Sequence, residues 1–453
     1  MYASETDFLG RLRSFIDVFG TGGLLIVITV AIVMAAIALW RGTGLILFVL
    51  FITYSIGAIT YGGVVFLSTI VRWGCLALLA IGFFKAFHPP KASMLLFVFY
   101  ALLGFLFVSR SPILFWSAQR AVLLLMVVIT VSVAVSGYIT SPEKIATLFK
   151  MGIVAAAVWV ATCMIFVQEF VRSARLRFTI GEGLGGAVAY AGAFFAPMIV
   201  WGIVQRRYKF WRIFSIFLIA PFVFILLLGA SRTAILGMLV MGSFPLLFLR
   251  GKPLRSIVML FVIGSLVMLS IYALFVVLPD RAEFLTRRLL STYTTGRFAV
   301  WLKALQWCID RALFLGHGTG SSAIARLEFG LLFHNAYLQI WYSTGLLGLL
   351  AVLLFLAIYN IKSFRLIAKS QTEEMTDFSR VAFGYMIGIT AIGMFEGTFA
   401  GAGGIAVCML MIVTAMIDRL SQMTEQEIQF TQYEDVGLNE PVWDEYSEHL
   451  VHY

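Results

Sequence analysis

Apolar residues fill long uninterrupted stretches of this chain, and polar residues are confined to the short gaps between them. A membrane-spanning helix takes about 20 mostly apolar residues. Runs of that kind occupy 22–40, 43–59, 71–87, 94–108, 113–136, 151–168, 184–204, 213–229, 233–249, 257–278, 335–359, 381–397 and 402–417. Within lipid each backbone group must be satisfied inside its own segment, so these runs predict helices. The two-residue alternation of an outer-membrane barrel is absent from them. The pattern therefore predicts an all-α polytopic integral membrane protein of about 12 (or else about 13) spans. It divides the chain into an N-terminal segment 1–21, a helical region 22–278, a long loop 279–333, C-terminal helices 334–417 and an acidic tail 418–453.

Composition sharpens this reading. The chain is 61% hydrophobic and 12% charged over 453 residues, whereas a soluble domain carries about 45–50% apolar and about 25% charged residues. A soluble enzyme, a disordered protein and a nucleic-acid binder are excluded, despite a formal charge of +10. That total hides an asymmetry. Residues 418–453 hold nine acids and one base, a net of −8, which leaves +18 on the rest. The bases of the rest lie in short loops, which is a topological signature, because Lys and Arg accumulate on the cytoplasmic side. Lys85–Lys91, Gln205–Arg212, Arg250–Arg255 and Lys362–Arg380 fall on one side in alternation, and the acidic tail joins them there. The tail lacks apolar periodicity and reads as a disordered or adaptor-like terminus. An odd span count would place residue 1 outside, against the preference of Arg11 and Arg13, so one early run is expected to be interfacial or re-entrant, which gives twelve spans. No removable leader is expected at the N-terminus. Cys75, Cys163, Cys308 and Cys408 show neither disulfide nor metal-ligand spacing.

The opposite side carries the long loop, with seven bases (Arg281, Arg287, Arg288, Arg297, Lys303, Arg311 and Arg326) and four acids. Trp301, Leu302, Leu305 and Ile309 recur there at helical spacing, which predicts an amphipathic helix along the membrane. Outside the tail the chain has fourteen acids, and of these Glu396 alone ends an otherwise apolar span. No pair of acids has the D-x-D spacing of metal-dependent sugar transferases. His317 and His334 are the only histidines on this side, too few for a zinc site, so neither a metal nor a cofactor is expected.

Arginines are the remaining candidates. Arg172, Arg175 and Arg177 precede the glycine-rich run Gly181–Gly186, Arg232 sits in the tight turn Gly229-Ala230-Ser231-Arg232, and Arg297 follows Gly296. Arginine at a membrane faces a partner or a wet cavity, and its planar fork suits phosphate. Too few acids share this side to balance them all, which points to an anionic ligand, phosphate or pyrophosphate first. The bland alternatives are snorkelling toward headgroups for Arg172, Arg175, Arg177 and Arg281, a satisfied helix-end carboxylate for Glu396, and a plain loop residue for His317. His334, at the start of a span, could accept a proton as a neutral imidazole.

Gly229-Ala230-Ser231-Arg232-Thr233-Ala234, then Gly296-Arg297 with Trp301, then His334-Asn335-Ala336-Tyr337-Leu338 followed by Gly345-Leu346-Leu347-Gly348 resemble, in this order, the O-antigen ligase and polymerase superfamily. The resemblance spans roughly residues 170–415. It implies a multi-pass protein of the bacterial inner membrane: a metal- and ATP-independent glycosyltransferase with a periplasmic active site. Its donor would be a glycan on undecaprenyl diphosphate, and its acceptor lipid A-core for a ligase or a lipid-linked repeat unit for a polymerase. The family arginines map onto Arg232 and Arg297, and its loop histidine onto His334. A further arginine maps onto Arg177 or Arg175, although Gly183-Leu184-Gly185-Gly186 stands where the family has Pro-Asn. In that reading Arg232, Arg297 and Arg177 hold the diphosphate, and His334, with Glu396 second, is the base. A lipid-linked-glycan flippase or other transporter is the competing class. It predicts internal repeats, and none is visible.

Overall fold

A computed structural model describes residues 42–56, 62–83, 91–172, 185–229, 231–247, 297–320, 333–397 and 404–435, with scattered helical positions between 264 and 279. The expected span 22–40 lies outside these residues, as does most of 257–278. The described residues are helical throughout, without a strand. Thirteen helices follow in order: α1 (Thr43–Ile56), α2 (Gly62–Phe83), α3 (Ala92–Leu106), α4 (Leu114–Tyr138, with one π turn), α5 (Pro142–Arg172), α6 (Gly185–Ala193), α7 (Ala196–Val204), α8 (Lys209–Leu228), α9 (Arg232–Leu247), α10 (Arg297–Ala312), α11 (Ala336–Lys369), α12 (Glu373–Gly393) and α13 (Ile405–Asp435). Among the described residues six segments are long and apolar enough to cross a membrane, including Ser93–Arg110, Lys209–Leu228 and Ala336–Lys369, and four shorter apolar helices accompany them.

One end of the bundle carries the basic loop around Arg207 and the start of α12. Arg207 pairs with Glu374 at 3.0 Å and approaches Glu143 at 3.8 Å, so the segments around residues 143, 207 and 374 share that end. α12 begins there and, with 21 residues rising about 1.5 Å each, carries the chain about 30 Å to Glu396 just past its far end. α9 packs antiparallel against it at two glycines. A Cβ on Gly237 would stand 2.3 Å from Ile392, and one on Gly388 would stand 2.0 Å from Met241. Small residues let the two backbones approach closely, as at other intramembrane crossings. The pairing sets the first turn of α9, Arg232 included, beside the last turn of α12.

Two segments depart from the hydropathy reading. The run 335–359 predicts one straight span, but α11 is two helices joined at Gly345 (φ 73°, ψ 179°). Thr390 shows how far the chain doubles back, since its carbonyl accepts from Tyr337 and its hydroxyl from Asn360. The helical bonds lost at the break are replaced by a glycine loop. Leu346 N–H donates to Leu313, while His317 and Gly318 N–H groups donate to the carbonyls of Tyr342 and Ser343. In apolar surroundings these groups must find such substitutes. The Gly316–Gly320 stretch, His317 included, is therefore the splint of the break. Burial, then the Arg110 charge, hold His317 below the ordinary imidazole range, and its Nε2 lies 3.2 Å from the Arg311 carbonyl.

The second departure is the tail. α13 continues past residue 418 to Asp435, because its first polar side chains are interior contacts. Asp418 meets Lys362 and Tyr359, and Arg419 donates to the Ser136 carbonyl. A disordered segment starting at 418 is thus corrected for 418–435; residues 436–453 lie outside the described set.

Candidate active site

The long loop delivers its helix where the sequence pattern puts one. α10 buries Val300, Ala304, Trp307 and Cys308 against Phe333 and Tyr342, and it exposes an apolar stripe of Phe298, Leu302, Leu305 and Ile309. Trp301, expected on that stripe, instead turns its indole N–H to the Phe333 carbonyl at 2.7 Å. This bond ties the start of α10, and hence Arg297, to the segment that holds His334.

His334 has φ 46°, the left-handed region, where a non-glycine residue is uncommon and costs of order 1–3 kcal/mol. Its neighbours hold it there. Phe333 is bonded as above. Asn335 caps α11 by accepting from Leu338 N–H at 3.0 Å, and its amide donates to the Met394 carbonyl at 3.0 Å. Such strain persists only where the surroundings over-determine it, and here they aim the imidazole at the end of α12.

Glu396 receives it. His334 Nδ1 lies 2.9 Å from Glu396 Oε2, and an Arg297 amino group lies 3.1 Å from Oε1. The other Arg297 amino group donates to the Phe395 carbonyl at 3.0 Å. A carboxylate only accepts, so Nδ1 carries the proton of a neutral His334 and Nε2 keeps its lone pair. Among the described residues Nε2 has no partner. The two bonds occupy two of the five guanidinium N–H donors of Arg297, and its side chain remains 33% exposed.

The third element is the start of α9. Ser231 caps that helix through its hydroxyl, which accepts from Ala234 N–H at 3.3 Å, and Arg232 is the first helical residue, half-buried. Arg297, His334 and Glu396, all singled out in sequence, are thereby joined directly, and the start of α9, which carries Arg232, packs beside the end of α12.

Arg297 is one outward base with a protein counter-charge, since Glu396 pairs with it, and the same carboxylate holds a guanidinium and an imidazole together. Arg175 and Arg177 lie outside the described residues, and so does the side chain of Arg172. Among the described residues no cluster of His, Cys, Asp or Glu could hold a metal.

Residues 217–353 match the O-antigen ligase family model. The match bears out the superfamily that the three motifs resemble. It covers α8 from residue 217, α9, α10 and the start of α11 to just past its break, and so includes Arg232, Arg297 and His334. Glu396, contributed by α12, lies beyond its end. Among curated proteins none matches the chain.

Sequence reasoning missed Tyr190. Its hydroxyl is buried among the oxygens of Ser231, Thr233 and Glu396. In the sequence it is one aromatic residue among Ala and Gly, with nothing to separate it from core.

Proposed function

We propose that the protein is a periplasm-facing inverting glycosyltransferase that moves a glycan from undecaprenyl diphosphate to an acceptor hydroxyl. It would act as a ligase onto lipid A-core or as a polymerase onto a lipid-linked repeat unit. The observation that carries the reading is the His334–Glu396–Arg297 chain, in which one carboxylate sets the tautomer of a base and fixes a cation beside it. The match to the O-antigen ligase family supports the same class of activity.

The reaction takes one step. His334 Nε2 accepts the proton of the acceptor hydroxyl as its oxygen attacks the anomeric carbon. The bond from that carbon to the diphosphate oxygen breaks, with its electron pair going to the leaving diphosphate. A single displacement inverts the anomeric configuration. Negative charge grows on the leaving group, and Arg297 and Arg232 stabilise it where it develops, commonly the largest catalytic contribution. Glu396 keeps Nδ1 protonated and stabilises the imidazolium that forms, the role a buried carboxylate plays in a Ser-His-Asp triad. Diphosphate is already a fair leaving group, so the chemistry calls for no cofactor.

Purified protein in detergent, given a polyprenyl-diphosphate-linked glycan and an acceptor, should form a new glycosidic bond. A flippase would move lipid in vesicles and form none, and that outcome would overturn the reading. Gel analysis of surface glycans after gene deletion separates the two acceptors. Free lipid A-core with accumulated polymer marks a ligase, and single capped repeats or lost polymer mark a polymerase.

A further inference from the structure

The glycine loop that splints the break also gathers arginines. Thr319 N–H donates to the Gly104 carbonyl at 3.3 Å, and the Ser117 hydroxyl donates to the Thr319 carbonyl at 2.8 Å. A Cβ on Gly318 would stand 2.9 Å from the Phe107 carbonyl oxygen, and one on Gly320 would stand 3.4 Å from Arg120 Cγ and from the Trp116 ring nitrogen. The end of α10 is held to the same loop, since His317 Nε2 lies 3.2 Å from the Arg311 carbonyl. Three segments remote in sequence thus meet at Gly316–Gly320. The turn that closes α3 brings Arg110, the start of α4 brings Arg120, and the last turn of α10 brings Arg311.

Residues 104–120 and 307–320 hold these three bases and a single acid, Asp310. Arg311 lies over the Trp307 ring at 4.5 Å, and Arg120 over the Trp116 ring at 4.3 Å. Stacking of this kind engages the face of a guanidinium and fixes the plane of its N–H fork. Leu114, Phe115, Phe314 and Leu315 are exposed on the same segments. Arginines beside an exposed apolar rim mark the boundary between membrane and water, so the anion that suits them is carried on a lipid. It is not the diphosphate held at Arg297, because Arg311 lies 14 residues further along α10, about 21 Å away at the helical rise. The acceptor brings another phosphate. Its reacting hydroxyl is on a sugar, and its phosphate is at the lipid end of the same molecule, an oligosaccharide away. That holds for lipid A-core and for a lipid-linked repeat unit alike.

We propose, resting on the glycosyltransferase reading above, that Arg110, Arg120 and Arg311 form a second lipid-phosphate site. It holds the phosphate of the acceptor lipid at the membrane surface while the acceptor glycan reaches along α10 to His334. No bond is made or broken there. The site contributes uniform binding, which acts on the KM for acceptor and leaves kcat alone.

The test compares two acceptors in neutral detergent: the one that the protein uses, lipid A-core or a lipid-linked repeat unit, and the same glycan on a lipid without phosphate. The wild-type KM should favour the phosphorylated acceptor about 10- to 100-fold, the worth of a charge-assisted contact, and the preference should shrink as salt rises. Arg110→Gln combined with Arg311→Gln should raise the KM for the phosphorylated acceptor by about the same factor. The donor KM, the saturating turnover and the use of the phosphate-free acceptor should hold. A wild type that does not distinguish the two acceptors overturns the proposal. So does an acceptor KM that responds to the variant only in vesicles containing phosphatidylglycerol, which would show arginines holding bulk headgroups. An equal loss on both acceptors also overturns it, as a structural role. Arg297→Ala run in parallel separates the two levels. If Arg297→Ala is inactive while the Arg110–Arg311 variant is normal, only the second site fails. If Arg297→Ala transfers glycan normally, the underlying reading fails.

Discussion

The two ends of α12 use the same ingredients differently. Near the basic loops, Asp377 takes Arg380 at 2.8 Å on one oxygen and Gln205 at 3.1 Å on the other. Asp418, on α13, takes Lys362 and Tyr359, and Tyr359 in turn receives Ser93. At the far end Glu396 also has one partner per oxygen. The carboxylates are alike, and the difference lies in what holds them. The side chains of Asp377 and Arg380 are 11% and 4% exposed, whereas His334 and Arg297 are 30% and 33% exposed. One pair is enclosed and serves packing. The other keeps an open imidazole nitrogen and unspent guanidinium donors. A polar cluster in an apolar bundle is thus read as chemistry by the valences it leaves open and by their access, more than by its charge.

The largest change should come from the cations of the open cluster. Arg297→Ala and Arg232→Ala should each lower transfer by about 10²–10³-fold, the usual worth of one donor to developing charge, and the double variant should abolish it while the protein still inserts. Arg297→Lys should also be damaging, because a point charge cannot hold Glu396 and the Phe395 carbonyl in the same fork. Glycan transfer by purified variants in detergent reads the effect, and near-normal rates in both alanine variants would dismiss the diphosphate clamp.

Removing the base comes next. His334→Ala should cost about 10²–10⁴-fold, the range for a positioned general base, and the residual rate should no longer follow the wild-type pH profile. A profile that keeps its wild-type shape would show that another group takes the proton.

The parts of this cluster differ in how far sequence reveals them. Arg232, Arg297, His334 and Glu396 stand out because an ionisable group beside a 20-residue apolar run is costly and rare. Their mutual pairing does not, since Glu396 is 62 residues from His334 and 99 from Arg297. The helical segments and the helix inside the long loop were legible from periodicity. The reversal at Gly345 was not, because Leu residues on both sides read as one continuous span. The interior role of Asp418 was equally hidden, since an acid followed by glutamates looks like a solvated terminus until Lys362 and Tyr359 are placed across from it.

Gly345 tests whether the reversal itself positions the site. A side chain there would have to adopt φ 73° and would put a Cβ 2.1 Å from the Phe314 carbonyl oxygen. Gly345→Ala should therefore lower the Tm of the solubilised protein, with about 1–3 kcal/mol lost to backbone strain alone. Turnover per folded molecule should fall less than in His334→Ala, because the Asn335 and Trp301 bonds still hold the segment beside His334. A variant that melts like wild type would mean that the two arms of α11 can rearrange without the glycine.

The smallest effect on turnover, and the sharpest contrast, is expected at the enclosed pair. Arg380→Met removes the 2.8 Å ion-pair partner of Asp377 inside the bundle, and breaking a buried pair in this way costs about 3–5 kcal/mol. Adding Asp377→Asn should recover much of that loss, since replacing both members of a buried pair is often nearly neutral. Transfer per folded molecule should remain at the wild-type rate in both variants, because nothing at that end reaches the reacting atoms. If Arg380→Met instead slowed transfer as strongly as Arg297→Ala while its Tm was unchanged, the enclosed pair would belong to the catalytic machinery. Exposure and open valence would then no longer separate the two ends of α12.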